Sequence, residues 1–215
     1  MEILTKLAEL TEAGKVNKTL AKGQDGVDEV TRQALDEGIA PELVLDALIK
    51  GMSVIGEKFA QGKAFVPNML LAAKAMSAGM AHLKPFFSSG QVKRKGTFII
   101  GTVFGDLHDI GKNLVSMMVE GSGWEVIDLG VDVKPEKFIE TVASHPGSII
   151  GLSALLTTTM GNMETILKAV REKYPETRVI IGGAPVTQGF ADKIGANGYS
   201  SNPQGAVELL NKLVA

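Results

Sequence analysis

Thr97-Phe98-Ile99-Ile100-Gly101-Thr102-Val103-Phe104-Gly105-Asp106-Leu107-His108-Asp109-Ile110-Gly111-Lys112-Asn113 reads as strand, loop and helix. The run Phe98 to Val103 is apolar and β-rich, Gly105 interrupts it, and Ile110, Leu114, Met117 and Met118 then recur at helical spacing. Asp106, His108 and Asp109 ride on the intervening loop. In an open α/β sheet such a loop lies at the carboxyl end of a strand, where these folds bind ligands. A histidine there, with a carboxylate two residues earlier, can turn one ring nitrogen outward while the acid holds the other. Metal-ligating imidazoles are commonly oriented and made more basic in this way.

The alternation continues downstream. Trp124 to Leu129 reads as a second strand ended by Gly130, and Pro135 opens a helix through Phe138, Ile139 and Val142. Ser148 to Leu152 is a third strand, followed by a loop from Ser153 to Thr159 and a helix from about Met160 to Tyr174. Arg178 to Ile181 is a fourth strand ending in Gly182-Gly183, Tyr199 marks a short fifth, and Ala206 to Leu213 closes the chain as a helix. Repeated βα units imply a parallel sheet covered on both faces, most simply in flavodoxin-like order. The switch point then falls between the first and third strands, which brings the His108 and Ser153 loops together.

Residues 1 to about 86 carry helical periodicity instead. Ile3, Leu4, Leu7, Ala8 and Leu10 form a short amphipathic stretch ending near Gly14. Asp25 is placed to cap a second helix through Val27, Val30 and Leu35, stopped by Gly38. Pro41 and Pro67 suit the first positions of a third and a fourth. The result expected is a four-helix bundle over 1–88, a polar and basic linker over 89–96, and an α/β domain over 97–215. The boundary begins around Phe86-Phe87, and Lys93-Arg94-Lys95 within it reads as a solvated linker.

Composition excludes several functions. With 45% hydrophobic and 21% charged residues over 215 positions the chain is an ordinary globular one. A net charge of -2 gives no electrostatic reason to expect nucleic acid or an anionic membrane as partner. No apolar run approaches the ~20 residues of a membrane span. The start, Met1-Glu2-Ile3-Leu4-Thr5-Lys6, lacks the pattern of an export signal, so cytoplasm is expected. The absence of cysteine removes disulfides and thiolate ligands. The three histidines, His82, His108 and His145, are too scattered for an all-histidine zinc site. A single histidine ligand suits a metal whose other positions a macrocycle already fills. His82, on a helix, and His145, before Pro146, read as structural.

The spacing Asp106-x-His108-x-x-Gly111, followed by Ser153-x-Leu155 and by Gly182-Gly183, resembles the cobalamin-binding signature of the methionine-synthase-type corrinoid proteins. Within that family the chain resembles the small methyl-carrying subunits of anaerobic methyltransferase systems. The resemblance extends over nearly the whole chain, including the helical part. One motif alone would carry little; three in order, each at the end of an expected strand, carry it together.

The resemblance implies a cobalamin or other cobamide bound base-off/His-on, with His108 as the axial ligand of cobalt in place of the cofactor's own lower base. Asp106 accepts the proton-bearing nitrogen of His108, and Thr159 stands where the family has a relay hydroxyl, usually Ser. These three control protonation as cobalt cycles between Co(I) and methyl-Co(III). Gly105, Leu107, Asp109, Ile110 and Gly111 belong to the same loop and helix start; the plain reading of Asp109, Lys112 and Asn113 is exposed first-turn helix. Ser153, Leu155, Thr157, Gly182, Gly183 and Ala184 correspond to the pocket for the detached nucleotide. In the segment Gly56 to Met69, which resembles the family's cap, Phe65 and Met69 are the candidates for facing the corrin ring.

The implied function is to carry a methyl group between a donor-specific corrinoid methyltransferase and a methylcorrinoid:tetrahydrofolate or thiol methyltransferase, the chain not acting catalytically alone. An ATP-dependent reductive activator is the third expected partner. A methylated amine or betaine, an aryl methyl ether or methanol would all serve as donor. Two alternatives share the cobamide: a regulator or sensor, and the small subunit of an adenosylcobalamin mutase, which lacks the helical cap. A phosphoacceptor domain of the same topology would want an acid ending the third strand, where Ser153 stands.

Overall fold

The computed structural model describes residues 1–20 and 23–214; Ala215, the last residue of the expected second domain, lies outside them. The chain forms two compact units, one built on Met1–Arg94 and one on Lys95–Glu120 and Trp124 onward.

The first unit holds four helices: α1 (Glu2–Glu12), α2 (Val27–Asp36), α3 (Pro41–Ala60) and α4 (Val66–Ser88). Each buries part of the stripe its periodicity marks, for example Val44, Leu48, Met52 and Ile55 on α3, whereas Leu43 of α3 and Leu70 and Leu71 of α4 are exposed. Burying such side chains contributes roughly 1.5–3 kcal/mol apiece. Two helix starts differ from expectation. Gly26, not Asp25, is the N-cap of α2, because Glu29 folds back to accept the Gly26 N–H at 2.9 Å and the Lys18 N–H at 2.9 Å. That contact organises the turn without the Asp25 side chain. α4 begins at Val66, so Pro67 is its second residue, and Asn68 Oδ1 accepts the Phe65 N–H at 2.9 Å. Of the two side chains expected to project here, Phe65 is 68% exposed but Met69 only 2%. Met69 lies on the buried stripe of α4 with Ala72, Ala73 and Met76, which corrects its assignment as a projecting group.

The second unit holds a five-stranded parallel sheet in the order β2-β1-β3-β4-β5. Its strands are β1 (Thr97–Thr102), β2 (Glu125–Asp128), β3 (Ile149–Ser153), β4 (Arg178–Gly182) and β5 (Gly198–Ser200). The connections carry α5 (Ile110–Gly121), α6 (Pro135–Ser144), α7 (Thr157–Met160), α8 (Asn162–Lys173) and α9 (Gln188–Ile194), and α10 (Pro203–Val214) follows β5. Ile99, Ile150, Leu152, Val179 and Ile181 face one side, where they pack with Phe138 and Val142 of α6, Met163 and Ile166 of α8, and Ala191 of α9. Phe98, Ile100 and Ile180 face the opposite side, toward α5 and α10. The expected order and the switch point beside β1 are both present.

Two helical features depart from the expectation. The loop after β3 contains a single helical turn, α7, so Thr159 sits on a helix before α8 begins. Between β4 and β5, where the pattern marks no element, the chain forms α9. Its signals are Thr187, whose hydroxyl accepts the Phe190 N–H at 3.2 Å, and Gly195 at φ +76° past its end.

Candidate functional site

Asp106 is the centre of the site. It is fully buried, with 0% of its surface exposed, at the carboxyl edge of β1. A buried carboxylate needs donors, and Asp106 has five. Oδ1 accepts the His108 backbone N–H at 3.1 Å and faces His108 Nδ1 at 2.8 Å. Oδ2 accepts the Leu155 N–H at 2.8 Å, the Leu156 N–H at 3.3 Å and the Thr159 hydroxyl at 2.7 Å. Burial by itself raises the Asp106 pKa. The bonds from Thr159, Leu155 and His108 outweigh it and hold the carboxyl well below its ordinary range.

An ionised Asp106 sets the histidine tautomer. With an acceptor-only carboxylate against it, Nδ1 of His108 carries the hydrogen, and Nε2 of the neutral ring keeps its lone pair. Half of the His108 side-chain surface is exposed, and Nε2 has no protein partner among the described residues. Thr159 has one hydrogen and two acceptors in reach, Asp106 Oδ2 at 2.7 Å and the Leu156 carbonyl at 3.0 Å. The charged, closer acceptor takes it.

Beside His108 opens a cavity of about 700 Å³ between the sheet and helices α5 and α10. The strand register explains its shape. Ile100, Gly151, Ile180 and Gly198 lie in one row, and Thr102, Ser153, Gly182 and Ser200 in the next toward the carboxyl edge. The outer row is small and leaves room; the inner row is apolar. A Cβ on Gly151 would lie 2.3 Å from Phe98 Cζ, so the Phe98 ring lies across that glycine and forms the floor. The cavity is therefore suited to a flat apolar group entering floor-first, with hydroxyls and amides at its mouth.

Leu107, His108, Asp109, Ile110, Gly111, Ser153, Leu155, Gly182, Gly183 and Ala184 all line this cavity. Asp106 and Thr159 stand behind it as supports of His108. Gly105 and Thr157 are not among the lining residues. Sequence reasoning missed Phe98, Ile100, Gly151 and Ile180, although a glycine inside an apolar strand does signal close approach, and it missed Ser200 and Asn202 of the β5–α10 turn. Lys112 is corrected: it is 3% exposed, ion-paired to Asp128 and bonded to Asn113 Oδ1 at 2.7 Å. His82 lies 2.7 Å from Asp28, and His145 Nδ1 meets the Thr141 carbonyl at 2.9 Å.

Among the described residues no group of three or more His, Cys, Asp or Glu side chains is placed to hold a metal ion. One imidazole nitrogen beside the cavity would suit a metal that brings its other ligands with it, as the cobalt of a corrinoid does. No helix among the described residues is long and apolar enough to cross a membrane.

Two family models, each described as a B12 binding domain, match residues 96–207 and 22–84. Fold and site thus define a B12-binding protein of helical and α/β parts. The chain is 38% identical over 217 residues to the dimethylamine corrinoid protein of Methanosarcina barkeri, covering 100% of this chain and 98% of that one. A cobalamin-binding protein of Desulfitobacterium hafniense DCB-2 has the same fold, with a TM-score of 0.78 and 30% identity over 99% of this chain and 98% of that one. A chain of the methanol:cobalamin methyltransferase complex from Methanosarcina barkeri superposes with a TM-score of 0.80 and 29% identity, covering 99% and 80%. The chain belongs to the family of corrinoid methyl-carrier proteins.

Proposed function

We propose that this protein holds a cobamide base-off/His-on and carries a methyl group on it between two methyltransferases, one specific for the donor and one for a folate or thiol acceptor. The observation that carries the reading is the His108 imidazole, its Nδ1 2.8 Å from buried Asp106 and its Nε2 without a protein partner at the mouth of the cavity. The cobamide, when bound, supplies a cobalt that accepts a methyl group and gives it up. The chain's residues do the rest. His108 would hold the cobalt through Nε2. Asp106 keeps the hydrogen on Nδ1 and stabilises positive charge on the ring when Nε2 takes a proton instead. Thr159 holds Asp106 ionised. Phe98 and Ile100 would give a detached base an apolar floor in the cavity, and Ser153, Ser200 and Asn202 would offer polar contacts to its nucleotide.

Similarity to a dimethylamine corrinoid protein and to a chain of a methyltransferase complex supports a methyltransferase partner, and makes dimethylamine the first donor to offer. An ATP-dependent activator belongs to the same reading. The test loads the protein with hydroxocobalamin, reduces it to the Co(II) state and records EPR. Nitrogen splitting that responds to ¹⁵N-histidine labelling is expected; splitting from the cobalamin's own benzimidazole would overturn the assignment. Further reduction to Co(I) with a strong chemical reductant, followed by incubation with donor and its cognate methyltransferase, should then yield the methylated corrinoid by absorbance. Failure with every donor, in a protein with histidine ligation, would favour the sensor reading.

Two further outcomes concern the support of His108. Thr159→Val removes a hydrogen bond to a buried charge and should cost about 1.5–3 kcal/mol in urea unfolding, while Thr159→Ser should restore most of it. The pH dependence follows from the sign of the Asp106 shift. Its folded pKa lies below the ordinary ~3.9 of an unfolded chain. Its contribution is therefore complete above that value and is lost as pH falls through the folded pKa. Wild type should be more stable than Asp106→Asn at pH 7, and the gap should narrow below about pH 4. Glu29, also held below its ordinary value, titrates alike in both proteins and cancels from the difference.

A further inference from the structure

Asp132, in the loop after β2, is the one non-glycine residue with positive φ, +55°, among the described residues. Its side chain is exposed, so it contributes nothing to a core. Such a conformation costs a side chain free energy and persists only where the surroundings hold it. Here both ends of Asp132 are engaged with the loop that carries His108. Its Oδ1 accepts the Gly105 N–H at 2.6 Å, and its own N–H donates to the Asp106 carbonyl at 3.0 Å. From the other side, Asn162 at the start of α8 donates its amide to the Phe104 carbonyl at 2.7 Å. Three successive residues, Phe104, Gly105 and Asp106, are thus tied to segments that follow two different strands.

The loop needs that support. Gly105 has φ +80°, and a glycine immediately before the buried acid would otherwise let the Asp106 backbone rotate. The Asp106 carboxylate can meet Nδ1 of His108 and Thr159 together only if its own backbone is fixed. We propose that Asp132, seconded by Asn162, is a positioning residue that holds the Asp106–His108 pair in its ligating geometry before any corrinoid arrives. Neither residue touches the cavity. The consequence for cobalt rests on the reading of His108 as its ligand; the consequence for the ring itself does not.

A substitution series separates this role from a merely structural one. Asp132→Gly relieves the positive φ and removes only the acceptor, so a structural role predicts unchanged or higher stability. Asp132→Asn keeps both an acceptor and tolerance of that conformation. In full-length protein without corrinoid, ¹⁵N-histidine NMR reads exchange of the hydrogen on His108 Nδ1, with His108→Gln assigning the signal. Exchange should quicken about tenfold in Asp132→Gly, the scale of one lost net hydrogen bond, and return to the wild-type rate in Asp132→Asn. Asn162→Ala, at the other side of the loop, should quicken it too and keeps the test open if the glycine variant does not fold. Unchanged exchange in both would overturn the proposal. With hydroxocobalamin bound and reduced, the fraction of EPR signal showing histidine-nitrogen splitting should fall in Asp132→Gly. If wild type itself shows no such splitting, the ligation reading fails, and the exchange rates still decide the role of Asp132.

Discussion

Replacing His108 by alanine should abolish the histidine-nitrogen splitting in the EPR of the reduced, cobalamin-loaded protein while leaving the protein folded. The ring is half exposed and its hydrogen bonds run only to Asp106, apart from its backbone carbonyl, which accepts the Thr102 hydroxyl at 2.9 Å and survives the change. Little packing is lost, and the cost in stability is that of the Nδ1 hydrogen bond to the buried Asp106 carboxylate, about 1.5–3 kcal/mol as for Thr159→Val. If His108 is the proposed ligand, the cofactor keeps only the cavity, and some binding should survive. Loss of an outer partner of a metal ligand weakens affinity by about 10–100-fold, and loss of the ligand itself should exceed that range. Asp106→Asn belongs inside it, because an amide can present either a donor or an acceptor to Nδ1 and no longer dictates the tautomer. Equal affinities for wild type and His108→Ala by spectral titration would refute the placement of cobalt over this ring.

Gly183→Ala should have the largest effect on the fold. Gly183 has φ +131°, where side chains are strained, and a Cβ there would lie 1.8 Å from the Ala154 carbonyl oxygen. That oxygen belongs to backbone and cannot swing aside. The loops after β3 and β4 would have to separate, taking with them the Leu155 and Leu156 N–H groups that bond Asp106. We expect a loss of at least about 4 kcal/mol, a large share of a domain's total stability, and no retained cobalamin after gel filtration. Gly182→Ala is the control. A Cβ there would meet only the Ser200 carbonyl at 3.0 Å, without a positive φ, and a smaller shift relieves it. Chemical denaturation of the pair measures the difference; a Gly183→Ala protein as stable as the Gly182→Ala one would contradict the geometry.

Local pattern was enough to read the strands, most helices and the sheet order. Alternating apolar runs such as Phe98 to Val103, each followed by a helical stripe, admit few arrangements besides a parallel sheet, because crossovers between parallel strands share one hand. The Asp106–His108 pair was legible for a similar reason: two residues apart on one loop, they are neighbours wherever that loop goes. Met69 and Lys112 were misread because periodicity says which residues share a face but not what covers it. A lysine in a first helical turn is ordinarily solvated, and only the nearness of Asp128 at the end of β2 lets this one be buried.

Sequence by itself thus determined the architecture and the ligand candidate, since both rest on spacing within a few residues and on the small menu of ways to pair and cover parallel strands. Tertiary structure alone decided what surrounds that ligand: the three donors that Leu155, Leu156 and Thr159 bring to Asp106, the Phe98 floor across Gly151, and the hold of Asp132 and Asn162 on the loop. Each of those contacts joins residues tens of positions apart, and burial is a property of such neighbours, which no local pattern encodes.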